Sequence, residues 1–324
     1  MKKLLIAVMA AGVACGGSGA LKDQARDAMP SKDTVAMGSP KTTNGTTAQR
    51  GDDSVSSQDS TAGDPSPFFT LTVGVAGTFN GAAAAFLGLI EAVVAQEPTS
   101  CNATSCTWGP GSSALDYNNY QLVVSKNADG TFHWELAGQA KSKPGSNFVT
   151  LASGDATPGA QPHHGSGSFT VNFDNSNTLD GPHDATGVLN VNHYTNVGPA
   201  SLDVTYMGAK DGNHPDQKNN IVYAYANDAT GGGDLNFAVH NTTTGDNFSV
   251  HSRWKNDGEG RADVQGLGSG YSVSISECWG VAPFLVAYFQ STLTVNLPPF
   301  GGPASGDQAQ CAYTSASFST KQAP

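Results

Sequence analysis

The sequence predicts a mainly β protein: an antiparallel meander forming a barrel or half-barrel, with one apolar helix packed on it. Only 13% of the 324 residues are charged and 39 are glycine, a composition that suits a turn-rich β protein. Short segments of alternating apolar and polar residues recur from Tyr120 onwards. No helical pattern of roughly 10–15 residues separates them, which excludes parallel β–α–β units. A two-sheet β-sandwich is the alternative architecture.

One hairpin shows the alternation most clearly. Phe132, Trp134 and Leu136 share one face of a predicted strand, whereas His133 and Glu135 share the other. The strands predicted from the same pattern also include segments 169–173, 202–206, 235–239 and 248–254. Because the connections between segments are short, consecutive strands are expected to be neighbours in the sheet.

The one predicted helix covers residues 80–95, which are apolar almost all round, with Glu91 as the lone charge. Asn80 or Thr78 is a candidate N-cap, and Pro98 ends the run. The preceding segment 68–73 alternates weakly and predicts a strand. A helix of this kind is buried on most sides, so it is expected to pack on the sheet as a core helix. Covering or lining a ligand cavity is its alternative role.

The N-terminus has the features of a secretory signal peptide, predicted over residues 1–14. Lys2 and Lys3 give a positive start, and an apolar stretch follows over residues 4–11. The stretch is too short to span a bilayer. Export would place the mature protein in an oxidising compartment.

The end of this signal, Gly12-Val13-Ala14-Cys15, resembles the lipobox of bacterial lipoproteins. The resemblance implies that Cys15 becomes an acylated N-terminus and that a lipid anchor holds the protein on a membrane. Gly16, rather than Asp, follows the cysteine, which by analogy with the family points to the outer membrane. Ordinary signal cleavage after small residues is the alternative. The resemblance is limited to the signal and implies nothing about the domain that follows.

Residues 15–65 predict a lipidated cysteine followed by a disordered tether. The stretch from Gly16 is rich in Ser, Thr, Gly, Asp, Lys and Gln and contains no aromatic residue, so it offers little apolar surface to offset the entropy of ordering. Residues 66–324 are expected to form a single β-rich domain, long enough to bury one sizeable core.

Four cysteines follow Cys15, and an even number in an exported chain predicts disulfides. The preferred pairing is Cys101 with Cys106 and Cys278 with Cys311. The second bridge would stabilise the fold by roughly 3–4 kcal/mol on the loop-entropy model.

Two groups of residues are candidates for a binding site. Tyr223, Tyr225, Trp254 and Trp279 could form a stacking surface for a sugar or an apolar ligand, although core packing explains the same pattern. His163, His164 and His183 are candidate metal ligands, but no ligand spacing typical of a zinc site accompanies them. No cofactor and no catalytic residue are predicted.

Charge and motifs restrict the function further. The net charge of −11 disfavours a nucleic-acid partner, because phosphate binding needs a basic surface. The expected protein is a cell-envelope lipoprotein whose tethered β domain binds a ligand or partner, such as an apolar ligand or an envelope protein, without catalysis. A structural or surface-display lipoprotein and an envelope hydrolase, possibly metal-dependent, are the alternatives.

Overall fold

The computed structural model describes residues 19–40, 60–112, 116–161, 164–182, 184–212, 214–295 and 300–324. The predicted signal peptide 1–14, Cys15 and much of the predicted tether lie outside these residues, as do His163 and His183.

One antiparallel meander dominates the fold. Fifteen strands follow one another in the sheet in sequence order, and a short sixteenth strand pairs with the fourteenth. The prediction of a mainly β meander is confirmed. The predicted closure into a barrel is wrong, and the strands form one sheet rather than the two layers of a sandwich. Within the described residues each strand pairs with its neighbours in this order, and no pairing joins the first strand to the last, so the sheet stays open.

The strands carry the residues that alternation predicted. Their bounds are β1 Ser100–Cys101, β2 Ser105–Gly111, β3 Asn118–Lys126, β4 Phe132–Ala140, β5 Val149–Pro158, β6 Gly165–Asn172, β7 Val188–Thr195, β8 Ser201–Lys210, β9 Lys218–Asn227, β10 Gly233–Asn241, β11 Asn247–Trp254, β12 Gly260–Gly268, β13 Tyr271–Trp279, β14 Val286–Val295, β15 Phe300–Gly301 and β16 Ser305–Gly306. The described helices are α1 Gly19–Ala28, α2 Pro67–Val94 and the short α3 Phe173–Ser176, with a 3₁₀ turn over Gln308–Gln310.

The chain divides into two compact units. Within the described residues, the first unit comprises those up to Val35, Ala82–Gly198 and Tyr206–Ala209. The second comprises Ala36–Gly81, Pro199–Thr205 and Lys210–Pro324. Both units contain meander strands, and each is described by itself below.

Helix α2 is longer than the sequence predicted and begins at Pro67 instead of residue 80. The strand predicted over 68–73 is therefore wrong, since these residues form the first turns of α2. Ser66 caps the helix by accepting a hydrogen bond from the Phe69 amide at 2.9 Å, and proline is well suited to the first helical position. The local capping chemistry overrides the weak strand alternation.

A single stripe of α2 is buried, and its residues lie mostly three or four positions apart within 68–79 and again within 87–94. Its buried members are Phe68, Phe69, Thr72, Ala76, Phe79, Leu87, Ile90 and Val94. By length and composition α2 could also cross a membrane, but core helices of soluble proteins pass the same test, so this is weak evidence. The stripe spacing is that of a helix packed along one side.

The first unit packs its apolar strand face beneath helical residues. Trp134 and Leu136 are buried on this face, and Phe86 of α2 stacks on Phe169 of β6 with ring centroids 6.3 Å apart. Helix α1 packs against β2, β3 and β5. Its Arg26 guanidinium donates to the Val94 carbonyl at 3.1 and 3.2 Å, at the C-terminal end of α2 where unpaired carbonyls lie.

Helix α1 falls inside the stretch that composition predicted as a tether. It buries Leu21, Ala25 and Ala28, and the residues that follow it bury Met29 and Val35. Residues 41–59 of the predicted tether lie outside the described residues.

The second unit has a continuous aromatic core under the start of α2. Phe69 stacks on Phe284 at a centroid distance of 4.0 Å and meets Trp279 edge-on at 6.0 Å. Val250, Val264 and other buried apolar side chains of β11–β14 complete this cluster. These packed side chains form the contact between the start of α2 and the sheet in the second unit.

Both preferred cysteine pairs lie at disulfide-bonding distance. The Sγ atoms of Cys101 and Cys106 are 2.04 Å apart, and those of Cys278 and Cys311 are 1.98 Å apart. The first bridge joins β1 to β2, and the second joins β13 to the C-terminal segment. The disulfide prediction is confirmed.

Candidate functional site

The first unit carries an open polar groove on the strand face opposite Trp134. Its floor lies on β4, β5, β6 and β7, where His133 is paired in register with Asp155, and Ser153 with Thr170. The groove has a volume of about 310 Å³ and opens to solvent. Its lining residues are His133, Ser153, Gly154, Asp155, Ser168, Phe169, Thr170, Asn190, Val191 and Asn192. This groove is the candidate functional site.

Strand alternation explains why the groove is polar. Residues at i and i+2 share a face, so burying Trp134 and Leu136 turns His133 and Glu135 to the opposite side. The same rule on β6 buries Phe169 and places Thr170 on the groove side. The groove chemistry is therefore fixed by the residues between the buried apolar positions.

Hydrogen bonds between strands hold the groove side chains in place. The His133 Nδ1 atom lies 2.9 Å from Asp155 Oδ1, and the Thr170 hydroxyl donates to Asn190 Oδ1 at 2.8 Å. The His133 and Asp155 side chains are 48% and 65% exposed, so their pairing adds little to stability and leaves both reachable from solvent.

Hydroxyl, carboxamide, imidazole and carboxylate groups thus line one surface as alternating hydrogen-bond donors and acceptors. Neither lysine nor arginine is among the lining residues. Within the described parts of the chain, no group of three or more His, Cys, Asp or Glu side chains is arranged to hold a metal ion. What this arrangement can do chemically is to form hydrogen bonds with a polar ligand.

The four aromatic candidates lie in the second unit, where the structure buries most of their surface. Tyr225 and Trp254 stack with centroids 6.2 Å apart and are only 5% and 2% exposed. Trp279 is fully buried, and its indole donates to a backbone carbonyl at 2.8 Å. Tyr223 packs on Phe79 at 5.7 Å. Tyr225, Trp254 and Trp279 belong to the core and Tyr223 is half-buried, so the four rings do not form an exposed stacking surface.

Of the three histidine candidates, only His164 lies within the described residues. It is exposed, and its amide donates to the Gln161 carbonyl at 3.1 Å in the turn before β6. His163 and His183 lie outside the described ranges, so the metal hypothesis that joined all three stays a prediction.

Sequence reasoning missed a buried charged cluster in the second unit. Asp263 is fully buried and accepts hydrogen bonds from Arg261 Nε at 2.9 Å, Arg253 Nη2 at 3.0 Å and the Ser276 hydroxyl at 2.7 Å. Arg253 and Arg261 lie opposite one another on β11 and β12, where like charges repel. Arg261 and Asp263 are two residues apart, which predicts that they share one strand face. This spacing does not predict that the face is buried.

The C-terminal segment covers this cluster. Residues 312–324, here called the strap, follow Cys311 without helix or strand structure and cross the strand face that carries Asp263. The Ser317 amide donates to Asp263 Oδ2 at 2.8 Å, and the Ser315 carbonyl accepts from Arg253 at 3.1 Å. Contacts through backbone atoms leave no residue pattern in the sequence, which is why the strap was not predicted.

A second residue that the sequence did not single out is Glu277, whose carboxyl group is buried at the start of α2. Its Oε1 accepts from the Ser66 hydroxyl at 2.5 Å and from the Phe68 amide at 3.3 Å. Burial raises the pKa of Glu277 to about 7, although hydrogen bonds from Ser66, the Phe68 amide and Ser60 act in the opposite direction. The second unit therefore holds a titratable carboxyl group inside its core.

Comparisons of the chain with protein-family models, with curated proteins and with solved structures give no match. The open groove, the buried cluster under the strap and the buried Glu277 are the three features that call for an explanation.

Proposed function

We propose that the protein is a lipid-anchored component of a bacterial cell envelope whose β domain binds a ligand without catalysing a reaction. The support for the location is the signal-like start, the lipobox-like sequence ending at Cys15, and two disulfides, which persist in oxidising compartments. Lipidation of Cys15 would hold the domain on the membrane, with the outer membrane as the proposed site. Stable anchoring requires more than one acyl chain, which lipoprotein acylation supplies.

The proposed ligand is an uncharged, hydroxyl-rich molecule such as an oligosaccharide. The single observation that carries this proposal is the open groove with its facing hydroxyl and carboxamide groups. Sugar hydroxyls donate and accept hydrogen bonds, as do serine, threonine and asparagine side chains. The protein carries a net charge of −11 and the groove lining includes neither lysine nor arginine, so an anionic ligand would be repelled.

The anchor is tested by metabolic labelling with a radioactive fatty acid, followed by membrane fractionation. The wild-type chain is expected to incorporate label and to sediment with membranes. Cys15→Ser removes the acylated thiol, so it should lose both properties, whereas Ser56→Ala should retain them. A wild-type chain that takes up no label would contradict the proposal.

The groove is tested by calorimetric titration of the mature Cys15→Ser chain with cellohexaose, chitohexaose and maltohexaose. Binding to at least one probe is expected. Ser153→Trp places a large ring on the groove floor and should weaken this binding by about 10-fold or more. Gln265→Trp, at an exposed strand position of the second unit, is the matched control and should change it less than about 2-fold.

Two outcomes would contradict the groove proposal. Equal affinity of Ser153→Trp and the control would place the ligand elsewhere on the domain. Failure of every probe to bind would favour the structural or surface-display role instead.

A further inference from the structure

We propose that the strand face formed by β9–β13 in the second unit, together with Asp203 of β8, is a peptide-binding site, and that the strap is its resident occupant. The site would take an extended peptide of low charge, recognised mainly through its backbone. This inference is independent of the groove in the first unit.

The contacts that hold the strap are mostly contacts to its backbone. The Ser317 carbonyl lies 2.7 Å from His251 Nδ1, and its amide donates to Asp263 at 2.8 Å. The carbonyls of Tyr313 and Thr314 accept from Arg261 Nη1 at 3.2 and 3.3 Å. Any extended peptide offers the same carbonyl and amide groups, so this pattern favours recognition with little dependence on side chains.

The strap's end is held in the same way. The terminal carbonyl of Pro324 accepts from Asn220 Nδ2 at 2.5 Å and lies 3.1 Å from His240 Nδ1. Its side-chain contacts are fewer: Lys321 pairs with Asp203 at 3.3 Å, and Arg253 lies 4.9 Å from the Tyr313 ring centroid.

The face beneath the strap carries guanidinium groups that have more hydrogen-bond donors than the strands supply acceptors for. Arg261 is 1% exposed and Asp263 is fully buried, so both depend on protein partners. Two guanidinium groups share the single carboxylate of Asp263, and Arg253 Nε is buried with no partner in the described chain. The carbonyl oxygens of an extended chain can accept hydrogen bonds from these guanidinium groups, as the carbonyls of the strap do.

The neighbouring imidazole is oriented for the same task. His251 Nε2 lies 3.0 Å from both carboxylate oxygens of Asp234, which leaves Nδ1 to meet the Ser317 carbonyl. The face therefore has two guanidinium groups that share Asp263 and one imidazole that is paired with Asp234, and each of the three groups meets a backbone carbonyl of the strap.

The disulfide determines how the strap is retained. Cys311 is bonded to Cys278 at the base of the face, so the strap stays at high effective concentration even when its contacts open. An external peptide must compete against this tethered occupant. The uncut chain is accordingly expected to bind added peptide far more weakly than a chain whose strap has been cut free.

The test uses the full chain with a short protease site inserted after Ala312, folded intact and then cut. The freed strap is expected to remain bound and to exchange with a fluorescent synthetic peptide of residues 313–324, measured by anisotropy. A scrambled peptide should bind within about 10-fold, because most contacts are to backbone. The uncut insertion variant is the control and should bind the peptide at least about 10-fold more weakly.

A backbone modification sharpens the test. N-methylation at Ser317 removes the donor to Asp263 and should weaken peptide binding by about 10-fold or more, since hydrogen bonds to charged groups are the strong ones. N-methylation at Ala316, whose amide is not part of these contacts, gives the matched peptide and should bind like the native one.

Two results would overturn the proposal. A cut chain that stays folded by circular dichroism but binds neither its own strap nor the labelled peptide has no peptide site. A chain that unfolds on cutting would show that the strap is an integral part of the fold and not an exchangeable occupant.

Discussion

Replacing Glu277 by glutamine isolates the cost of burying a carboxyl group at the start of α2. The substitution keeps a side-chain oxygen that can accept from the Ser66 hydroxyl and the Phe68 amide. It removes the possibility of ionisation. Glu277→Gln should therefore change how the free energy of unfolding depends on pH, whatever its effect at any single pH.

The structure gives both the sign and the size of this change. The Glu277 pKa is 4.5 as an ordinary side chain and rises to about 7 in the folded protein. Between these values the folded state binds more protons than the unfolded state, so stability falls as the pH rises through this window. A difference of 1 in pKa corresponds to about 1.4 kcal/mol. Between pH 4.5 and pH 8 the free energy of unfolding of the wild type should therefore fall by about 3 kcal/mol, and Glu277→Gln should not show this loss.

The assay is urea unfolding at several pH values between 4.5 and 8, with the difference between variant and wild type taken at each pH. Taking differences removes the contribution of all other titrating groups. Gln265→Asn, at an exposed strand position, changes no titratable group, so it is the control and should show a flat difference. A flat difference for Glu277→Gln as well would refute the account of this buried carboxyl group.

Two further substitutions test the packing of the second unit. Replacing both Cys278 and Cys311 by alanine should lower the free energy of unfolding by roughly 3–4 kcal/mol on the loop-entropy model, measured by urea titration, and an unchanged midpoint would contradict this. Gly260→Ala should cost about 1–3 kcal/mol, because the new Cβ would lie 2.5 Å from the buried Trp279 ring. Gly74→Ala, with no atom within 4 Å of its Cβ, is the matched control and should be neutral or stabilising by about 0.5–1 kcal/mol; equal melting temperatures for the two glycine variants would refute the packing argument.

The strands and disulfides could be predicted because their signals are local. Alternation of Phe132, Trp134 and Leu136 with His133 and Glu135 places one set in the core and the other outside, as the structure confirms for the buried set. Cysteine count and context predicted disulfides, and preference for the tight Cys101–Cys106 loop selected one of the three possible pairings.

The start of α2 was missed although its signal was present. Ser66-Pro67 is a cap followed by proline at the first helical position, and Phe68, Thr72 and Ala76 repeat every fourth residue. The bulky and β-branched residues of 68–73 favour a strand locally. The helix forms instead because it buries the apolar stripe of α2 against the sheet. Barrel closure depends on pairing between distant edges, so strand count alone could not determine it.

The candidate sites were harder to predict because they depend on which strands are neighbours. The groove brings together His133, Asp155 and Thr170 from three strands through register, which the alternation pattern does not reveal. The aromatic candidates had the residue types of a binding surface, but burial decides between a core and a site. The strap contacts use backbone atoms, which every residue type has.

The most direct test of the proposed function is one titration that measures both binding and turnover. The mature Cys15→Ser chain is titrated with the neutral oligosaccharides in a calorimeter, and the ligand is then recovered and weighed by mass spectrometry. Saturable binding with the oligosaccharide recovered intact is the predicted result. Cleaved or modified ligand would contradict binding without catalysis, and the absence of any saturable signal would contradict the groove as a ligand site.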